Sequence, residues 1–197
     1  MSKLKFMKPF TQQEPIPEQA NKKVMELLDP WRLHRYNTVG SELSDAALLE
    51  QDFAQYQGRK YCLACTSGGY GLHIALRAMG LQAGDEVLTN AYTLAPVPGA
   101  IHAAGGKPVL VEIDNNYHLD LTDLEVKAKG SNAKILLLSL MRGHIPNMDQ
   151  LMALCNKLGL QVLEDCAHTM GGAWSGVKSG NFGQVAAFSL QTYKHMN

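Results

Sequence analysis

The sequence has almost no imbalance of charge: 18 basic side chains stand against 18 acidic ones, and charged residues make up only 18% of its 197 positions, against about 25% in an average globular chain. A nucleic-acid binder or a polybasic membrane protein needs a concentration of Lys and Arg to meet phosphates or anionic lipid, so both classes are disfavoured. Long apolar runs are missing as well. Nothing approaches the ~20 residues that cross a bilayer, and the alternation of apolar and basic residues from Met1 to Lys8 contains no apolar core for export. Cysteine is scarce, and Cys62, Cys65, Cys155 and Cys166 lie inside apolar segments instead of at loop spacings. This argues against a disulfide scaffold and suits a reducing cytoplasm. There is no internal repeat and no low-complexity tract.

What is present is a globular composition, 46% hydrophobic, in a chain long enough to bury roughly 70% of its unfolded surface. The first twenty residues, with Pro9, Pro15 and Pro17, read as an extended arm, and residues 19–28 as a short helix. Residues 1–43 therefore precede the main fold at 44–197. That fold opens with a helix over 44–56, begun by Ser44, carrying Ala46, Leu49, Phe53 and Tyr56 on one face, and stopped at Gly58. Beyond Arg59, short apolar runs at 61–66, 86–90, 108–113, 134–140, 161–164 and 185–190 alternate with helical patterns. Leu72, Ala75, Leu76 and Met79 share one helix face; Met148, Leu151, Met152 and Cys155 share another. Near-continuous apolar strands are buried on both sides. The pattern predicts an α/β, three-layer αβα fold around a mainly parallel sheet, with ligands at the carboxyl ends of its strands.

Three of those ends carry chemistry. Cys65-Thr66-Ser67-Gly68-Gly69-Tyr70-Gly71 runs from the first strand into a helix starting near Tyr70. Exposed N–H groups and the helix dipole there form a cradle for phosphate; a plain tight turn needing glycine explains the same residues. The next strand ends in Thr89-Asn90-Ala91, not the acid a dinucleotide site requires, so a Rossmann module is disfavoured. The fifth strand ends in Glu164-Asp165-Cys166-Ala167-His168. A carboxylate leaving a buried strand needs a partner: a metal bound by Asp165, His168 and Cys166, a sugar hydroxyl, or a protonated ring nitrogen. No second His or Cys cluster completes a metal site. After the sixth strand comes Ser189-Leu190-Gln191-Thr192-Tyr193-Lys194. Taken singly these are structural groups or a surface lysine. Together, a phosphate cradle, an acid and a lysine at one sheet edge are the parts pyridoxal phosphate requires.

In their order and spacing these residues resemble the DegT/StrS-type sugar aminotransferases, pyridoxal-phosphate enzymes of fold type I. The resemblance runs from Phe53-Ala-Gln-Tyr-Gln-Gly58 through Ser67-Gly-Gly, Gly84-Asp-Glu-Val87, Tyr92-Thr93, Gly105-Gly-Lys-Pro-Val109, Pro146-Asn-Met-Asp149, Glu164-Asp-Cys-Ala-His168 and Gly180-Asn-Phe-Gly183 to Phe188-Ser189 and Lys194. It implies that Lys194 bonds the cofactor and moves protons, and that Asp165, kept ionised, pairs with the pyridine nitrogen. It also implies that His168 lies near the ring's phenolic oxygen, that Ser67, Gly68, Gly69 and Ser189 hold the phosphate, and that Leu94 covers the ring where relatives stack an aromatic. The implied reaction moves an amino group from an amino acid such as glutamate to a nucleotide-linked keto-sugar, in a homodimer whose sites share residues between subunits. Ser139-Leu-Met-Arg-Gly143 lacks a histidine common after the fourth strand, which implies a different acceptor pocket. The intact Lys194 favours transamination over the dehydration performed by relatives that carry histidine instead. Family members continue past the lysine with an antiparallel strand between the first and sixth strands, then a small C-terminal domain. The resemblance thus implies an N-terminal portion with that domain absent, inactive in isolation. The alternatives are a non-enzymatic remnant that binds a partner, or another reaction on the same cofactor such as sugar dehydration.

Overall fold

The computed structural model describes residues 7, 15–29, 33, 35–36 and 40–195; most of the expected N-terminal arm lies outside them. Helix α1 (Glu18–Leu28) follows Pro17. Helix α2 (Asp45–Gln57) is capped as its sequence predicts: Ser44 Oγ accepts from Ala47 N–H at 3.3 Å, and Gly58 ends it in the left-handed conformation. Helix α3 (Gly68–Ala78) begins two residues earlier than expected because Ser67 is its N-cap, accepting from Tyr70 N–H at 3.1 Å.

The remaining elements are β1 (Glu86–Asn90), α4 (Pro96–Ala103), β2 (Lys107–Val111), α5 (Leu121–Lys129), β3 (Ile135–Ser139), a 3₁₀ turn (Met141–Gly143), α6 (Met148–Leu158), β4 (Gln161–Asp165), the two-residue strands β5 (Ala173–Trp174) and β6 (Val177–Lys178), and β7 (Val185–Ala187). Strands β1, β2, β3, β4 and β7 form one parallel sheet in the order β2-β1-β3-β4-β7. Alternate residues feed two cores. Leu88, Leu136, Leu138 and Val162 face α5 and α6 through Leu124, Met148, Leu151 and Cys155. Val87, Ile135, Leu137 and Leu163 face α3 and α4 through Leu72, Leu76, Val97 and Ile101. The three-layer αβα architecture is thus the one expected, with a helix layer on each sheet face.

One expected strand does not form. Residues 61–66 pair with no described strand. A strand exists only where a neighbour takes its backbone groups. Here side chains take those of Ala64: its N–H donates to Glu50 Oε1 at 2.6 Å, and its carbonyl accepts from Arg35 Nη1 at 3.3 Å. Arg35 and Glu50 also pair with each other. The sixth strand is shorter than its apolar run, because only 185–187 bond to β4.

Candidate active site

The parallel sheet places the ends of β3, β4 and β7 side by side, with Ser139 opposite Asp165 and Asp165 opposite Ala187. Chain leaving β4 turns at once: Ala167 N–H donates to Asp165 Oδ1 at 3.1 Å, and Thr169 N–H to the Cys166 carbonyl at 3.1 Å. This turn aims His168 back across the sheet edge. Chain leaving β7 makes its own turn, with Lys194 N–H donating to the Gln191 carbonyl at 2.8 Å. The two side chains meet: Lys194 Nζ lies 2.6 Å from His168 Nε2. From the 3₁₀ turn after β3, Arg142 N–H reaches His168 Nδ1 at 3.3 Å.

The electrostatics follow from burial and proximity. Burial raises the Asp165 carboxyl above the ordinary aspartate range, opposed by the Ala167 N–H and the Lys194 charge. This differs from the carboxylate held low that the resemblance implies; a cationic partner is what would restore it. Burial lowers the Lys194 amine, opposed by Asp165 and reinforced by Arg142. Burial likewise lowers His168, with the Lys194 and Arg142 charges acting in the same direction.

The phosphate-cradle residues also assemble. Ser67 caps α3, so Gly68 and Gly69 occupy its first two positions, where N–H groups have no partner inside the helix. Ser189 lies against them: a Cβ added to Gly68 would sit 3.5 Å from Ser189 Cβ and 3.8 Å from its Oγ. Those distances are ordinary van der Waals contact, so they place Ser189 directly beside the first turn of α3. Leu94, just before α4, is exposed beyond the end of β1.

Two expected site groups have other employment. Glu164 is fully buried, and its carboxylate accepts from the N–H groups of Gly180 (2.8 Å), Phe182 (2.9 Å) and Gly183 (2.7 Å). It anchors the loop before β7 rather than facing ligand. Cys166 is buried in the core, and its thiol is pushed far above the usual range by that burial. A buried, protonated thiol at Cys166 does not fit the metal alternative that named it with Asp165 and His168.

Sequence reasoning missed the fastening between β1 and β3. Asn90 donates to the Ser139 carbonyl at 3.1 Å and accepts from Ser139 N–H at 2.9 Å, while Thr93 Oγ1 bonds Ser139 Oγ at 2.7 Å. The buried amide at a strand end was the available signal. It also missed the β5–β6 hairpin, although Ser175-Gly176 between Trp174 and Val177 is a turn signature.

The model of the DegT/DnrJ/EryC1/StrS aminotransferase family matches residues 18–197. The chain belongs to this family. A pleiotropic regulatory protein of Geobacillus stearothermophilus is 32% identical over 180 residues, covering 91% of this chain and 47% of that protein. A dTDP-3-amino-3,6-dideoxy-alpha-D-galactopyranose transaminase of Aneurinibacillus thermoaerophilus is 31% identical, covering 93% of this chain and 50% of that one. Among solved structures, an aminotransferase from Psychrobacter cryohalolentis superposes with a TM-score of 0.84 at 24% identity, over 94% of this chain and 46% of that one, and shows the shared fold. The chain spans about half the length of these curated relatives. Pyridoxal phosphate is the cofactor that membership of this aminotransferase family implies, and the residues at the sheet edge fit it. Ser189 adjoins the first turn of α3, whose N–H groups have no partner inside the helix, the desolvated Asp165 forms no ion pair with a described residue, and the Lys194 amine lies near enough for its charge to act on Asp165.

Proposed function

We propose that this chain forms the cofactor-binding half of a sugar aminotransferase that passes an amino group from an amino acid such as glutamate to a nucleotide-linked keto-sugar. The observation that carries the reading is the meeting of Lys194, His168 and Asp165 at adjoining strand ends beside the Ser67–Ser189 cradle. When bound, pyridoxal phosphate supplies an electron sink for labilising a bond at the substrate carbon. Lys194 would supply the amine that bonds the cofactor and would move the proton at that carbon. Asp165 would pair with a cationic ring nitrogen, and Gly68, Gly69 and Ser189 would donate to phosphate oxygens. His168 and Leu94 would line the ring, Leu94 by apolar contact.

The four free thiols suit a reducing cytoplasm. No described helix is long and apolar enough to cross a membrane. The working unit is two copies of the chain, as the unburied apolar residues of α1 suggest.

Visible absorption of the full chain titrated with pyridoxal phosphate tests this reading. A new band should appear in the wild type, vanish in Lys194→Ala, and change on addition of glutamate. Absence of a band in both proteins would overturn the cofactor assignment for this chain. A band insensitive to glutamate would overturn the aminotransferase assignment alone.

A further inference from the structure

The hydrogen bonds around the His168 ring are all satisfied in only one protonation pattern. A neutral imidazole has one N–H and one in-plane lone pair. Arg142 N–H points at Nδ1 from 3.3 Å, so Nδ1 spends its lone pair there and the ring proton sits on Nε2. Nε2–H must then donate, and the atom 2.6 Å away is Lys194 Nζ. Nζ can accept only with a lone pair of its own, and an ammonium has none. The opposite arrangement, an ammonium donating to Nε2, moves the ring proton to Nδ1 and turns it against the Arg142 N–H. A doubly protonated ring has no lone pair left on Nδ1 for the Arg142 N–H.

We propose that His168, oriented by the backbone N–H of Arg142, is a positioning residue that holds Lys194 as a free amine with its lone pair turned toward the imidazole. The backbone that presents this N–H is itself unusual. Arg142 has φ 55° and ψ 20°, a left-handed conformation that a residue with a Cβ adopts at a cost, and one that residues near functional sites retain. The charges that act on Nζ and on the ring come from three neighbouring segments. Asp165, at the end of β4, favours the ammonium; burial and Arg142, from the turn after β3, oppose it. His195, next in the chain, acts on the ring in the same sense as Arg142. The Arg142 guanidinium makes no hydrogen bond or ion pair with a described residue, so its charge stands unneutralised beside the amine.

The consequence is a nucleophile prepared in advance. At pH 7 an ordinary lysine, with a pKa near 10.4, is a free amine in about one molecule in 2,500, and each unit of depression multiplies that fraction by about ten. The inference rests on the reading of Lys194 as the cofactor-bearing lysine for its purpose, while the state of Nζ is measurable without cofactor.

The test is trace labelling of the cofactor-free full chain with acetic anhydride across a pH series, with an unstructured lysine peptide as internal standard and mass spectrometry as the readout. In this reaction the Nζ lone pair bonds the carbonyl carbon, acetate leaves, and the amine proton passes to solvent. The midpoint of the rate against pH reports the free amine independently of access. Lys194 should reach its midpoint about one unit or more below the standard, a tenfold or greater excess of free amine at pH 7. His168→Leu, which removes the donor and keeps apolar bulk, should move the midpoint up toward the standard. His168→Gln, which returns an N–H donor, should restore it. A wild-type midpoint equal to the standard, or one unmoved by His168→Leu, overturns the proposal. Should His168→Leu fail to fold, the ring tautomer of the wild type read by ¹⁵N NMR decides: a proton on Nε2 supports the proposal and a proton on Nδ1 overturns it. A cofactor band with an ordinary Lys194 midpoint would sink this inference alone; a low midpoint with no band would sink only the cofactor assignment.

Discussion

At the scale of single residues, the two acids that end β4 have opposite fates set by the face each points to. Successive residues of a strand alternate, so Glu164 is enclosed and saturated by three backbone donors while Asp165 stands at the site. The sequence exposes both carboxylates at a strand end. It cannot reveal that the donors to Glu164 arrive from residues 180–183, because that pairing exists only once the loop has folded back. Asp165 yields a pH prediction. Its carboxyl is raised by burial in the cofactor-free protein, so the folded state keeps a proton that the unfolded chain releases across the window between the ordinary aspartate value and the raised one. Folding stability must therefore fall as pH climbs through that window and level off above it. Asp165→Asn should flatten the dependence while weakening cofactor binding. Urea midpoints across acidic pH measure the first effect, and an unchanged slope in the variant would contradict it.

At the scale of elements, the loop from Lys178 to Gly183 is what sets β7, and hence Ser189 and Lys194, in place. Besides the Glu164 clamp, Arg59 donates to the carbonyls of Gly180 at 3.1 Å and Gly183 at 2.6 Å. From the end of α2, Gln57 donates to the Ser179 carbonyl at 2.5 Å and accepts from Asn181 Nδ2 at 2.8 Å through its own carbonyl. Two glycines are obligatory there. A Cβ on Gly183 would lie 2.4 Å from the Val162 carbonyl oxygen, and one on Gly180, whose φ is +87°, would lie 2.6 Å from Phe188 Cζ. Glu164→Gln exchanges an acceptor for an amide that confronts N–H donors. Leaving a buried donor unsatisfied costs about 1–3 kcal/mol, and overpacking costs about the same. Urea unfolding should register losses of about 2–3 kcal/mol for Glu164→Gln and for Gly183→Ala. A loss below about 0.5 kcal/mol in either would remove the clamp from this account. The motif Gly180-Asn-Phe-Gly183 was legible as a family signature, but its physical reason, close passage over Val162, was not.

At the scale of the whole molecule, the apolar surface does not all find cover within one chain. Helix α1 has no buried residue, and Val24, Met25 and Leu28 are 52%, 64% and 46% exposed; Leu48 and Leu49 of α2 are also open to solvent. Exposed apolar residues gathered on one helix, as on α1, mark a contact surface. If two copies associate through it, sedimentation velocity should resolve a dimer whose share grows with concentration, and the double change Met25→Glu with Leu28→Glu should leave a folded monomer. A wild-type chain that stays monomeric at every concentration would refute the arrangement.

The sequence by itself determined the layer order and named the candidate chemistry. Apolar runs alternating with helical periods can bury their surfaces in few ways, and a glycine cradle, an acid and a lysine at strand ends can serve few cofactors. Asp165, His168, Ser189 and Lys194 were therefore nameable as candidates from the sequence. Tertiary structure decided what depends on partners distant in the chain. It decided that residues 61–66 pair with no described strand while Arg35 and Glu50 hold Ala64, that Glu164 anchors a loop, and that the Arg142 N–H meets His168. Those outcomes rest on hydrogen bonds across 14 to 29 residues, and no local pattern encodes which donor finally meets which acceptor.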